Sequence, residues 1–229
     1  MMSPLQGADD AESADAVGLS VPVVVVSANE ICKTWSASAR LAPLSFTLAA
    51  GDRVVVCGRS GSGKSTLLGL LAGWCEPDTG TITRVGSWAA DDRWRRWVGT
   101  AIVPQTLGLL AELPIRENIA LGLRLSGMRR RVVADLTAEM IEALDLVEEA
   151  GRLPADISLG QCQRASVARA VVSSPTLLLA DEPTCHQDAV HAAMVLAALA
   201  CVATAGGAVV LASHDEAIFD FAEKIISLD

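Results

Sequence analysis

Gly58-Arg59-Ser60-Gly61-Ser62-Gly63-Lys64-Ser65-Thr66 fits the pattern G-x-x-x-x-G-K-[ST]. It stands between a β-branched run, Val54-Val55-Val56-Cys57, and an apolar segment carrying Leu67, Leu68, Leu70 and Leu71. Strand, glycine-rich loop and helix in that order form a phosphate cradle. The glycines let successive backbone N–H groups curl round an anion without Cβ clashes, and the helix that starts near Lys64 aims its positive dipole end at the same point. Lys64 is expected to reach the β- and γ-phosphates of a nucleotide and Ser65 to ligate Mg2+. The leucines seat the helix on a sheet.

Further along, Leu177-Leu178-Leu179-Ala180 is a second short apolar run, followed at once by Asp181-Glu182. That places two carboxylates at the C-terminal end of a strand, where open α/β sheets bind ligands. Asp181 suits the task of holding the Mg2+ shell, and Glu182 that of a general base polarising the attacking water. The runs Val21–Val26, Thr176–Ala180 and Ala208–Ala212 are also continuous rather than alternating, which implies strands buried on both faces. Helical patterns separate them, so the expected fold class is α/β with a mainly parallel sheet covered by helices. Residues 107–160 read as helix-rich: Leu136, Met140, Ile141, Leu144 and Val147 share one helical face. Glu139, Glu142, Asp145, Glu148 and Glu149 occupy much of the remainder, which reads as solvated.

Ile157-Ser158-Leu159-Gly160-Gln161 is followed by Gln163-Arg164, by Ala168-Arg169-Ala170 and then by Asp181-Glu182-Pro183-Thr184. In order and spacing this block resembles the signature and Walker B region of ATP-binding cassette (ABC) proteins, and the resemblance runs over about residues 23–228. It implies a P-loop NTPase fold, with a RecA-like core and an ABC helical subdomain at about 107–160, inside a domain of residues 21–229. ATP and Mg2+ are the implied ligands, with residues 58–66 as Walker A. Gln105, after Ala101-Ile102-Val103-Pro104, resembles the Q-loop glutamine that links Mg2+ and water to the transmembrane partner. His214, after Ala208–Ala212, resembles the switch histidine that contacts the γ-phosphate. Trp35 sits where the family places an aromatic ring that stacks on adenine. Ser158, Gly160 and Gln161 are then the signature residues that meet the nucleotide of a second cassette, in a homodimer or a heterodimer. Leu107-Gly108-Leu109-Leu110 through Glu117-Asn118-Ile119 is similar to the lipoprotein-release and macrolide-efflux branch. The implied role is an ATP-hydrolysing subunit that works by nucleotide-driven dimerisation beneath membrane permease subunits, peripheral at the cytoplasmic face of the membrane. Non-transport relatives that act on ribosomes usually carry two cassettes, and those of DNA repair a long coiled coil; neither pattern is found in these residues. His186 and His191 receive no role.

Two segments depart from the family pattern. Leu159-Gly160 stands where most members have Gly-Gly, and Cys185-His186-Gln187-Asp188 where most have Ser-Ala-Leu-Asp. Both would face the partner in the family's head-to-tail dimer, and Leu159 adds bulk where backbone approaches the opposite γ-phosphate. A weakly hydrolysing regulatory subunit is therefore the alternative expectation. The formal charge of −9 gives no general attraction for phosphodiester backbones, which excludes nucleic acid as a partner. Six cysteines without a C-x-x-C pair fit neither a zinc site nor a disulfide framework, and read as buried thiols of a reducing cytosol. Residues 1–20 carry Asp9, Asp10, Glu12 and Asp15, no base and no apolar stretch of signal-peptide type, and read as a disordered acidic tail. Ala192–Ala212 is uncharged over a bilayer-crossing length, but its alanines, Thr204 and Gly206-Gly207 read as a helix, a turn and a buried strand rather than a span.

Overall fold

The computed structural model describes residues 23–36, 39–84 and 99–229. The expected acidic tail at 1–20 and the first two residues of the strand expected at Val21–Val26 lie outside them. In chain order the elements are β1 (Val24–Ser36), β2 (Ala39–Ala49), β3 (Arg53–Cys57), α1 (Lys64–Ala72), β4 (Thr79–Arg84), β5 (Thr100–Val103), α2 (Ile115–Leu125) and α3 (Arg130–Ala143). They continue with α4 (Leu159–Val171), β6 (Leu177–Asp181), α5 (Ala189–Thr204), β7 (Ala208–Ala212) and β8 (Lys224–Ser227).

Five strands form one sheet in the order β5-β6-β7-β3-β8, and every pairing in it is parallel. The continuous apolar runs follow from this geometry, because successive side chains of a strand point to opposite faces and here both faces are covered. Val54, Val56, Leu177, Leu179, Ala208, Val210 and Ala212 turn toward one cluster with Leu67, Leu68, Leu70 and Leu71 of α1. Val55, Leu178, Ala180, Val209 and Leu211 turn toward a second cluster, built with α2, α3, α4 and α5. The central strands β6 and β7 thus separate two cores, and each fully buried leucine among them stabilises the fold by about 2 kcal/mol.

The remaining three strands form an antiparallel sheet, β2-β1-β4. The strand expected at Val21–Val26 therefore does not belong to the parallel sheet. Its continuation is the long β1, where Val26, Ala28 and Ile31 are buried while Asn29 and Glu30 are exposed, a one-sided pattern broken by an irregularity between Ala28 and Ile31. The helical face expected through Val147 also ends early. α3 stops at Ala143, Leu144 is buried, Leu136 and Met140 are half-buried, and Val147 is 61% exposed. Glu149, expected in solvent, is buried and accepts a 2.7 Å hydrogen bond from Gln161 Nε2. α5 and β7 flank the Gly206-Gly207 turn, and among the described residues no helix is long and apolar enough to cross a membrane. All six cysteines are unpaired, but only Cys162 is buried, four are half-buried and Cys201 is exposed.

Candidate active site

The parallel register brings three strand ends together: Val56 lies opposite Ala212, and Ala212 opposite Asp181. β3 runs straight into the glycine loop. Gly58, Gly61 and Gly63 take φ values of 147°, 84° and 104°, in a region where a Cβ is strained, so the loop can turn its amides inward only with glycine there. Gly63 caps α1 without any side-chain hydrogen bond, and no acidic residue lies in the first helical turn. The first amides of α1 therefore remain free of side-chain acceptors, at the positive end of the helix dipole.

Side chains around the loop point into the same space. Lys64 Nζ donates to Gly58 O at 2.7 Å and Arg59 O at 3.2 Å, so its ammonium lies across the loop. Ser65 Oγ donates to Asp181 Oδ2 at 2.6 Å, across 116 residues of sequence. Two hard oxygens converge there, as Mg2+ requires. Among the described residues no group of three or more His, Cys, Asp or Glu side chains makes a metal site, so an ion here depends on phosphate and water oxygens for its other ligands. Thr66 Oγ1 accepts from Trp35 Nε1 at 2.9 Å, which fixes the edge of an indole whose residue is 57% exposed, and Lys33 Nζ lies 5.4 Å from its ring centre. Arg59 and Ser60 are exposed, and the Arg59 amide donates to Asp229 Oδ1 at 2.9 Å. Ser62 Oγ is buried without a hydrogen-bond partner.

Glu182 is held from two sides. Its N–H donates to Ala212 O at 2.9 Å, and its backbone has φ 50°, a left-handed conformation uncommon for a residue with a Cβ. Ser213 Oγ donates to its Oε2 at 3.0 Å, and His214 Nδ1 lies 2.6 Å from its Oε1. The carboxylate is 15% exposed and the imidazole 75% exposed, so one group is sheltered while the other faces the open side. Strain of this sort persists only where neighbours over-determine it, and it concentrates at functional positions. Gln105 is exposed two residues past Val103, whose register partner is Ala180, and so lies at the same sheet edge.

Ser158, Gly160 and Gln161 lie elsewhere. Ser158 caps α4 in a capping box, with the Gln161 amide donating to Ser158 Oγ and the Ser158 amide donating to Gln161 Oε1. Together with Leu159, Gln187 and His191 they line a separate cleft of about 540 Å³, and no residue of the glycine loop reaches it. The structure thus gathers Trp35, residues 58–66, Gln105, Asp181, Glu182 and His214 at one edge, and leaves the three signature residues at another. Ser213 was missed by sequence reasoning, although a hydroxyl beside His214 at a strand end was the available signal. Gln187 stood out in the sequence only as part of the departing segment Cys185–Asp188, and His191 gave no signal of its own.

A family profile described as ABC transporter matches residues 41–185. An uncharacterised ABC transporter ATP-binding protein of Mycobacterium tuberculosis is 36% identical over 211 residues, covering 87% of this chain and 63% of the relative. The methionine import ATP-binding protein MetN of Brucella abortus is 33% identical over 211 residues, covering 90% of this chain and 57% of that protein. The chain therefore spans about three fifths of the length of these relatives. Among solved structures, the ATP-binding cassette MJ0796 in a dimeric post-hydrolysis state with ADP and Pi superposes with a TM-score of 0.80 at 26% identity, covering 89% of this chain and 94% of that one.

Proposed function

This chain belongs to the ABC transporter family, with the α/β P-loop ATPase fold of that family, and we propose that it binds and hydrolyses ATP to drive a membrane permease. The observation that carries the reading is the convergence of the glycine loop, Asp181, Glu182 and His214 on one sheet edge. Loop amides and the Lys64 ammonium receive the β- and γ-phosphates, and Trp35 offers its exposed face to adenine. Ser65, Asp181 and Gln105 hold Mg2+, which when bound neutralises phosphate charge. Glu182, oriented by Ser213 and His214, accepts the proton of the attacking water, and His214 then faces the transferring phosphate.

The signature residues lie off this edge, so they serve the nucleotide of a second cassette, whether a copy of this chain or a different subunit. Dimerised MJ0796 supports that arrangement. We further propose that residues 21–229 form one cassette with a helical subdomain at about 107–160, held peripherally at the cytoplasmic face by permease subunits. The sequence from Leu107 to Ile119 supports assignment to the lipoprotein-release and macrolide-efflux branch.

Replacing Glu182 by Gln tests the chemistry. The amide keeps the shape and loses the basicity, so ATP affinity stays within about threefold while turnover falls about 10²–10⁴-fold. Undiminished phosphate release by the purified variant removes Glu182 from the role.

A further inference from the structure

The two departures from the family pattern, Leu159 and Cys185–Gln187, meet in one place. Gln187 Nε2 donates to Gly160 O at 2.9 Å, and Gln187 Oε1 accepts from Arg164 Nη1 at 3.2 Å. Each end of the amide thus faces a complementary group, and the flipped orientation would set oxygen against oxygen and nitrogen against nitrogen. Arg164 is buried, and it also donates from Nε to Leu144 O at 2.8 Å and from Nη2 to Asp145 O at 3.2 Å. The side chain at 187 therefore ties the loop after Glu182 to α4 at Gly160 and Arg164, and Arg164 in turn ties α4 to the end of α3.

The approach is close enough to dictate residue types. A Cβ on Gly160 would stand 2.7 Å from His186 O and 3.4 Å from Gln187 Nε2, so the loop occupies the space a side chain would take. Leucine, usual in the family at 187, can neither donate to Gly160 O nor accept from Arg164. The loop itself is a turn tied back to the catalytic edge, with Cys185 N–H donating to Glu182 O at 3.2 Å and Gln187 N–H to Thr184 O at 3.3 Å.

We propose that Gln187 is a positioning residue for the signature turn: its amide holds the Gly160 carbonyl, and with it the backbone of Ser158–Gln161, in the pose this chain presents to its partner's nucleotide. The proposal rests on the reading of the chain as half of an ATP-hydrolysing dimer. It makes Leu159 and Gln187 parts of one local solution, in which an amide clamp fixes a turn that carries a bulkier residue than usual.

Mixed dimers isolated with two affinity tags test it, because Glu182→Gln in one protomer leaves a single competent site. In the trans arrangement one protomer carries Glu182→Gln and Gln187→Leu, so the altered signature faces the competent site. In the cis arrangement Gln187→Leu sits in the protomer whose own Glu182 is intact. Relative to the dimer with Glu182→Gln alone, trans turnover is expected to fall about tenfold, as for loss of one well-made hydrogen bond, and at least about five times further than cis turnover. Gln187→Glu, which keeps an acceptor for Arg164 but sets a carboxylate against Gly160 O, is expected to fall as far as Gln187→Leu in trans. Equal losses in cis and trans, or restoration by Gln187→Glu, overturn the proposal. If the reference dimer itself does not turn over ATP, the dimeric ATPase reading fails, and amide exchange in the isolated chain then decides for Gln187. Faster exchange of residues 158–163 in both variants at unchanged melting temperature supports the clamp, and unchanged exchange overturns it.

Discussion

Lys64 donates to two neutral carbonyls, Gly58 O and Arg59 O, which are weak partners for a full positive charge. A phosphate entering the loop offers that ammonium charge-assisted bonds roughly twice as strong. Removing the ammonium in Lys64→Ala should lower ATP affinity about 10²-fold or more, since hydrogen bonds to charged groups contribute about 1.5–3 kcal/mol each. Calorimetry with Mg2+ present measures it, and equal affinities rule out the phosphate cradle. Lys64 and Ser65 were legible in the sequence because the loop pattern is local, strand and helix being contiguous with it. Ser213 was not, because its partner Glu182 lies 31 residues away and only the β6–β7 register unites them. The contact of Trp35 with Thr66 was hidden for the same reason, although the resemblance placed an aromatic residue there.

At the scale of single elements, α2 starts without a side-chain cap, at Pro114, and the ordering of the segment before it falls to Asn118. Asn118 is fully buried; its Oδ1 accepts from Leu110 N–H at 2.7 Å, and its Nδ2 donates to Leu113 O at 2.8 Å and Leu110 O at 3.0 Å. Asn118→Ala empties a fully buried polar site and removes its hydrogen bonds to the Leu110 and Leu113 backbone, and should destabilise the chain by about 2–4 kcal/mol. A matching drop in urea midpoint at unchanged slope checks this, and a drop below about 1 kcal/mol contradicts it. At the start of α4, Leu159 is 49% exposed and its backbone is ordinary helix, so the fold accepts the leucine without strain. In the proposed dimer its cost falls on the partner's nucleotide. Leu159→Gly should raise steady-state hydrolysis of the homodimer about two- to fivefold, a barrier change on the order of 1 kcal/mol. An unchanged or lower rate at matched protein concentration ends the argument for a weakened signature. The end of α3 was misread because periodicity alone ran on to Val147, whereas Asp145 at φ 51° turns the chain and exposes that valine. Glu149 was misread because its partner Gln161 belongs to another element.

For the whole molecule, the parallel sheet was legible because a strand covered on both faces leaves an uninterrupted apolar run, as in Leu177–Ala180 and Ala208–Ala212. Assignment of the run at Val21–Val26 to that sheet failed, since β1 pairs antiparallel with β2 and β4, and pairing partners are set by topology rather than by composition. The division of the site is likewise a property of the whole chain: the signature turn lines a cleft that no residue of the glycine loop reaches. In the proposed dimer, ATP joins the glycine loop of one chain to the signature turn of the other. Sedimentation of the Glu182→Gln chain, which is expected to hold ATP without consuming it, measures this most directly. A shift from monomer to dimer mass is expected on adding ATP and Mg2+, and no shift when Lys64→Ala is added. A mass that ignores ATP contradicts it.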